Sequence, residues 1–301
     1  MNKTSKNVFV TIAGRANAGK SSLLNALVGE KIAAVSSKPQ TTRTKITGVL
    51  TEGETQFVFM DTPGMHKAKN KLSEHMINTV NECVTGVDII VLMCDCTKKI
   101  SENEINLINS FKGSKAKVIL LLNKIDLLDN KDMLIEKLAE YSALYDFLEV
   151  VPVSVLNGEG LDIVMDILRK NAVEGPHYFP DDKLTDQPEK VIMAEIIREK
   201  ALRNLNEEVP HGVAVTIEQL NEREDRSGTP ILDITATIFC ERESHKGIII
   251  GKGGSMLRKI GQDSRADLEE FFRIKINLQC WVKVKEGWRN REGMIKNFGL
   301  S

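Results

Sequence analysis

Gly14-Arg15-Ala16-Asn17-Ala18-Gly19-Lys20-Ser21 fits the phosphate-binding pattern G-x-x-x-x-G-K-[ST] at each fixed position. A β-branched and aromatic run, Val8-Phe9-Val10-Thr11-Ile12, precedes it, and Ser22-Leu23-Leu24-Asn25-Ala26-Leu27 follows with helical spacing. Strand, loop and helix in that order let successive backbone N–H groups converge on an anion, and the first helical turn adds about half a positive charge. Gly14 and Gly19 supply conformations that a Cβ would forbid. Lys20 is expected to reach the β and γ phosphates of a nucleotide and Ser21 to offer its hydroxyl to Mg²⁺, with Arg15, Ala16, Asn17, Ala18 and Ser22 completing the cradle.

Three more loops follow the apolar runs of the first half. Asp61-Thr62-Pro63-Gly64 comes after Gln56–Met60; Asp61 can hold Mg²⁺ through water, and Gly64 can bring a bare N–H to a γ-phosphate. By itself D-x-x-G is ordinary turn chemistry. Asn123-Lys124-Ile125-Asp126, after Val118–Leu122, is more specific. The Asp126 carboxylate can accept both N1–H and the 2-amino group of guanine, donors that adenine lacks there, so the base is expected to be guanine. Lys124 can lie along the ring, Asn123 can tie this loop to the phosphate loop, and Ser154-Val155 stand where an N–H can meet guanine O6.

These loops alternate with buried runs and helical segments such as 134–144 and 161–168, the pattern of an α/β domain with a mostly parallel six-stranded sheet. Lys45–Leu50 and Gln56–Met60, joined by Thr51-Glu52-Gly53-Glu54, predict a hairpin that makes one edge strand antiparallel. At 301 residues the chain exceeds one ordinary hydrophobic core, so two domains are expected. We place them at 1–172 and 191–301, with the proline-containing segment 173–190 as linker. No apolar stretch approaches the ~20 residues that span a bilayer, the first residues lack a signal-peptide core, and five cysteines without a C-x-x-C pair suggest packing thiols in a cytoplasmic protein.

Net charge is −1, but residues 246–296 hold twelve Lys and Arg against six Asp and Glu. This basic segment suits an anionic partner, although charged surfaces of this size also occur on domains that bind no nucleic acid. The periodicities beyond residue 190 read α-β-β-α-α-β, with Ile250-Gly251-Lys252-Gly253-Gly254 between two helices. A G-x-x-G loop in that order resembles a type II KH domain, an α+β fold that clamps about four nucleotides of single strand. Ile250, Gly251, Lys252, Gly253, Gly254 and Lys259 are the candidate RNA-binding residues. Trp281, Trp288, Phe271 and Phe272 are possible stacking platforms; Phe271 falls on the apolar stripe of its helix and is expected in the core, and Trp281 on the face opposite it.

Taken together, the ordered motifs resemble the Ras-like GTPases of the branch related to translation factors, among the TrmE-, Era- and EngA-related proteins, and within it those with a C-terminal KH domain. Gln40-Thr41-Thr42-Arg43 is similar to that family's effector loop. The resemblance implies that Thr42 serves Mg²⁺ and the γ-phosphate, with Thr41 as the alternative. It also implies catalysis of GTP hydrolysis by Lys20, Thr42, Gly64 and Asn17, with K⁺ held beside the phosphates by Asn17. Met65 stands where Ras-like enzymes often carry a water-orienting glutamine. Ala16 and Val155 replace the family's usual proline and alanine with apolar residues of similar size. The partners implied are the 3′ end of small-subunit ribosomal RNA and the small subunit during assembly, together with peripheral contact at the inner face of the cytoplasmic membrane, by a monomer. Two rivals stay open: a GTPase whose second domain contacts protein or membrane, and an RNA-binding scaffold that holds nucleotide structurally.

Overall fold

A computed structural model of the chain describes residues 4–38, 40–64 and 70–300. Packing divides it into two units, one of residues 1–32, 42–68 and 73–186 and the other of residues 33–41, 69–72 and 187–301.

The first unit is a sheet covered by helices. Its strands are β1 (Lys6–Gly14), β2 (Ile46–Glu52), β3 (Thr55–Asp61), β4 (Ile89–Asp95), β5 (Lys117–Asn123) and β6 (Glu149–Val153), in the spatial order β2-β3-β1-β4-β5-β6. Every residue of β4 is buried, as a central strand covered on both faces requires. β2 runs antiparallel to β3, turning at Gly53 in the left-handed region (φ 59°). The other pairings along this path are parallel. From β1 the chain leaves to one side for β2 and β3 and later to the other side for β4. The carboxyl end of β1 is therefore the topological switch point at which such sheets bind ligands.

A seventh strand was not expected. β7 (Val173–Glu174) pairs antiparallel with Lys6 and Asn7 at the start of β1. Ser5 Oγ donates to Gly175 O at 2.9 Å, and Gly175 N–H donates to Ser5 O at 3.0 Å. Two residues carry no readable period, so pairing with a distant strand decides their structure. The proline segment beyond is tied as well: Gln56 Nε2 donates to Phe179 O at 2.9 Å, and Thr185 Oγ1 donates to Thr47 O at 2.6 Å.

The helices of this unit are α1 (Lys20–Val28), α2 (Lys71–Cys83, from Ser73 onward), α3 (Glu102–Phe111), α4 (Lys131–Ser142) and α5 (Leu161–Asn171). α3 starts with a capping box in which Ser101 and Glu104 exchange bonds to each other's backbone. α4 starts at Asn130, whose side chain accepts from Met133 N–H at 3.0 Å.

The second unit holds α6 (Glu189–Asn204), β8 (Ala214–Glu224), β9 (Pro230–Cys240), α7 (Glu243–Ile250), α8 (Ser255–Phe272), β10 (Lys275–Val284) and α9 (Glu292–Asn297). Its sheet runs β10-β9-β8, with β10 parallel and β8 antiparallel to β9. Leu232, Ile234, Ala236, Ile238 and Cys240 point every second residue into one core with Met193, Ile197, Ile260 and Leu268. A register shift between Ile217 and Gln219 returns Leu220 to the core face after an interrupted alternation. Trp281 is 60% exposed on the opposite face. Trp288 is no stacking platform: it is wholly buried, and its indole N–H donates to Gly212 O at 2.9 Å. Among the described residues no helix is long and apolar enough to cross a membrane.

Candidate nucleotide site and nucleic-acid groove

At the carboxyl end of β1, Gly14, at φ 149°, lies so close to β4 that a Cβ would stand 2.3 Å from Met93 O, so the position admits glycine. Asn17 takes a left-handed conformation (φ 62°) that asparagine tolerates, and Gly19 caps α1 at φ 107°. A Cβ on Gly19 would meet Asn123 Nδ2 at 2.4 Å. Lys20 is buried, and its ammonium donates to Arg15 O at 3.1 Å. Burial holds that ammonium below its ordinary pKa, and nearby Asp61 opposes the shift.

Ser21, Thr42 and Asp61 converge at the foot of this loop. Ser21 Oγ donates to Asp61 Oδ2 at 2.6 Å and lies 2.7 Å from Thr42 Oγ1, which itself reaches Asp61 Oδ2 at 3.3 Å. Burial raises the Asp61 carboxyl; Lys20, the two hydroxyls and the Thr62 N–H pull the other way. Asp61 Oδ1 is buried with no hydrogen-bond partner among the described residues. An orphaned carboxylate oxygen beside two hydroxyls is the donor set of a hard cation, so the residues fit Mg²⁺. Thr41 does not join them; its hydroxyl lies 2.8 Å from Ser36 Oγ and donates to Lys38 O at 2.6 Å.

Gly64 packs against the phosphate loop, since a Cβ there would stand 2.6 Å from Ala16 Cα. Any side chain at 64 would separate the two loops. Met65, one residue on, lies outside the described residues.

On the other side, Asn123 Nδ2 donates to Ala18 O at 2.8 Å, and Asn123 Oδ1 accepts the Val155 N–H at 3.1 Å. Asp126 Oδ1 accepts from Ser154 Oγ at 2.6 Å. Lys124, left-handed at φ 70°, pairs with Asp95 Oδ2 at 2.6 Å. Asp95 has no place in the motifs read from sequence. It ends β4 beside Asn123 in register, and only the sheet order brings it to Lys124. Burial acts to raise the Asp95 carboxyl, but the Lys124 and Thr97 hydrogen bonds outweigh it, so it lies below the ordinary carboxylate range. The Arg15 side chain bonds to Lys99 O and Glu104, so its share in the phosphate cradle is its backbone.

In the second unit, Gly251 ends α7 at φ 72°, Gly253 stands at φ 59°, and Gly254 caps α8 at φ 78°. A Cβ on Gly251 would press to 2.8 Å from Met256 Cβ, whereas Gly253 and Gly254 face open space. Gly254 opens onto a groove of about 360 Å³ between α8 and β10. Arg258, Gln262 and Arg265 project from α8, Asn277 stands on β10, and Leu257, Leu278 and Cys280 form the apolar lining. Lys252 and Lys259 are exposed. The positions 258, 262 and 265 repeat at i, i+4 and i+7, so the sequence itself carries a polar stripe directly after the glycine loop. Arg289 is paired with Glu241.

Fold and site define a P-loop GTPase of the Ras-like α/β class with an appended KH domain. The model of the 50S ribosome-binding GTPase family matches residues 9–124, and that of the KH domain matches residues 208–289. GTPase Era of Clostridioides difficile is 50% identical over 98% of this chain and 99% of its own. GTPase Era of Ruminiclostridium cellulolyticum is 48% identical over 98% and 97%. A solved structure of Era in complex with MgGDPNP and nucleotides 1506–1542 of 16S ribosomal RNA superposes with a TM-score of 0.91 at 35% identity, covering 99% of each chain. A variant of Aquifex aeolicus Era bound to GDP and aluminium fluoride gives 0.92 at 34% identity, over 98% and 99%. The chain belongs to the Era family of GTPases.

Proposed function

We propose that this chain is a GTP-hydrolysing switch that binds the 3′ end of small-subunit (16S) ribosomal RNA and acts in small-subunit assembly and rRNA maturation. The observation that carries the nucleotide half is the convergence of Ser21, Thr42 and Asp61 under a loop that seats Lys20, with one carboxylate oxygen left for a cation. Residues 1–172 form the GTPase domain in this reading, 173–190 the linker and 191–301 the KH domain.

The residues divide the work. Gly14, Arg15, Ala16, Asn17, Ala18, Gly19 and Ser22 wrap the phosphates with backbone N–H groups, and Lys20 neutralises the β and γ oxygens. Ser21, Thr42 and Asp61 hold Mg²⁺, which draws off charge that builds on the phosphates as the γ bond breaks. Gly64 presents its N–H to the γ-phosphate. Asp126 reads guanine, Lys124 covers the ring, Asn123 braces the two loops, and Ser154 and Val155 frame O6. Asn17 holds K⁺. In the KH domain the Ile250–Gly254 loop admits the sugar-phosphate backbone, and the Arg258–Asn277 groove takes bases; Lys259 adds charge. The protein works in the cytoplasm, with peripheral contact at the membrane.

Crosslinking in cells followed by sequencing of the recovered RNA, with the protein locked in GTP and GDP states, tests this reading. Reads should pile up at the 3′ end of small-subunit rRNA and differ in yield between the two states. An even spread over all RNA, or no RNA, overturns it.

A further inference from the structure

Glu104 lies in the first turn of α3, outside every nucleotide motif, and is only 2% exposed. A carboxylate taken out of water needs hydrogen bonds and an opposite charge. The hydrogen bonds come from Ser101, whose N–H and Oγ reach Glu104 Oε2 at 2.8 and 2.9 Å, and from the buried Tyr141 hydroxyl, 3.4 Å from Oε1. The charge comes from Arg15 inside the phosphate loop, whose Nη1 stands 3.4 Å from Glu104 Oε2 and also donates to Lys99 O at 3.4 Å. At its other end Arg15 offers its carbonyl to the Lys20 ammonium at 3.1 Å and to the Ala18 N–H at 3.4 Å. One residue therefore connects a fixed buried carboxylate to the backbone that seats the phosphate-binding lysine.

We infer that Glu104 is a positioning residue for nucleotide binding: through Arg15 it holds the phosphate loop in its binding form, so affinity for GTP and GDP depends on the Glu104 charge. This rests on the assignment of Gly14–Ser21 as the phosphate loop. A loop freed from its tether spends less time in the binding form, and the apparent affinity falls by that fraction. Helix capping is a separate duty of the same side chain, and it acts on stability alone.

The test is titration of the full chain with fluorescent mant-GDP in Mg²⁺, alongside thermal melting, for Glu104→Gln, Arg15→Gln, the double variant, Ser101→Ala and Lys20→Ala. Glu104→Gln keeps the size and most hydrogen bonds while removing the charge. It and Arg15→Gln should each weaken mant-GDP about threefold to fivefold, the upper range for a partly exposed ion pair. The double variant should bind no more weakly than either single, since both cut the same tether. Ser101→Ala, which keeps the Glu104 charge and the Ser101 N–H bond, should melt earlier and lose less affinity than Glu104→Gln; a loss as large as that of Glu104→Gln would overturn the role of the charge. Arg15 is partly exposed, so Arg15→Gln folds whatever becomes of the buried site. Wild-type affinity in Arg15→Gln or Glu104→Gln, or losses that multiply in the double variant, overturns the inference. Wild-type affinity in Lys20→Ala would instead overturn the phosphate-loop assignment beneath it.

Discussion

Asn123 Nδ2 donates to the Ala18 carbonyl at 2.8 Å, so the end of β5 is bonded directly to the turn that follows β1. The same side chain accepts from Val155 N–H. One buried amide thus holds three loops that arrive from three strands. Asn123→Ala leaves the Ala18 carbonyl and the Val155 N–H unpaired, at about 1–3 kcal/mol for such groups. GTP and GDP affinities should fall together, by about tenfold or more in calorimetric titration, with no change in their ratio.

Asp126→Asn replaces an acceptor with a donor on one side of the carboxyl group. Guanine should be bound more weakly and xanthosine triphosphate gained, as competition against labelled GTP would show. Unaltered base preference would remove Asp126 from the base site.

Gly253→Asp should abolish RNA binding while leaving GTP affinity intact. The new side chain enters open space, so the fold tolerates it apart from about 1 kcal/mol of left-handed backbone strain, while its charge repels phosphate. In the adjoining groove, assigned to bases, Arg265→Ala should weaken RNA binding with little change in the slope of log affinity against log salt. Filter binding at several KCl concentrations separates the two effects.

Asp95 carries a pH signature. Its folded carboxyl lies below the ordinary range, so the Lys124 pair stabilises the protein fully above the unfolded pKa and loses that contribution as pH falls through the folded one. Asp95→Asn keeps the Thr97 acceptor and removes the charge. Urea midpoints should place the variant about 1 kcal/mol below wild type at pH 7, with the gap closing in acid below about pH 4.

Asn17→Ala should remove stimulation of hydrolysis by K⁺ over Na⁺ at matched ionic strength, with GTP affinity largely kept. Equal wild-type rates in the two salts would exclude the ion.

What could be read from the sequence was whatever is written in consecutive residues. The glycines at 14 and 19, Lys20, and the Asn123–Asp126 turn announce themselves because each loop's chemistry is local, and the period-two run of β9 gives its core face directly. Thr42 could be preferred over Thr41 only by resemblance, since adjacent threonines differ in nothing but which one the backbone turns toward Ser21 and Asp61. Asp95 and Glu104 were invisible because their partners, Lys124 and Arg15, lie many residues away and meet them only through strand order. Trp288 offered a stacking platform to a sequence reading because no local period marks it as core, and its burial rests on contacts with Gly212 and Phe298 far from it or outside any period. β7 escaped for want of length.

That short strand has a consequence for the chain's continuity. Because Val173 and Glu174 pair beside Lys6 and Asn7, the segment leaving α5 lies side by side with the start of β1, clasped by Ser5 and Gly175, before the chain runs on to Phe179 and Thr185 along β3 and β2. New termini cut between Glu52 and Gly53, both exposed, with a brief bridge from Gly175 to the start of β1 in place of residues 176–186, would leave every strand pairing in place and give up the bonds that segment makes to Gln56 and Thr47. The order in which the polypeptide is synthesised is therefore separable from the architecture it builds, and a circularly permuted GTPase domain is within reach of this fold.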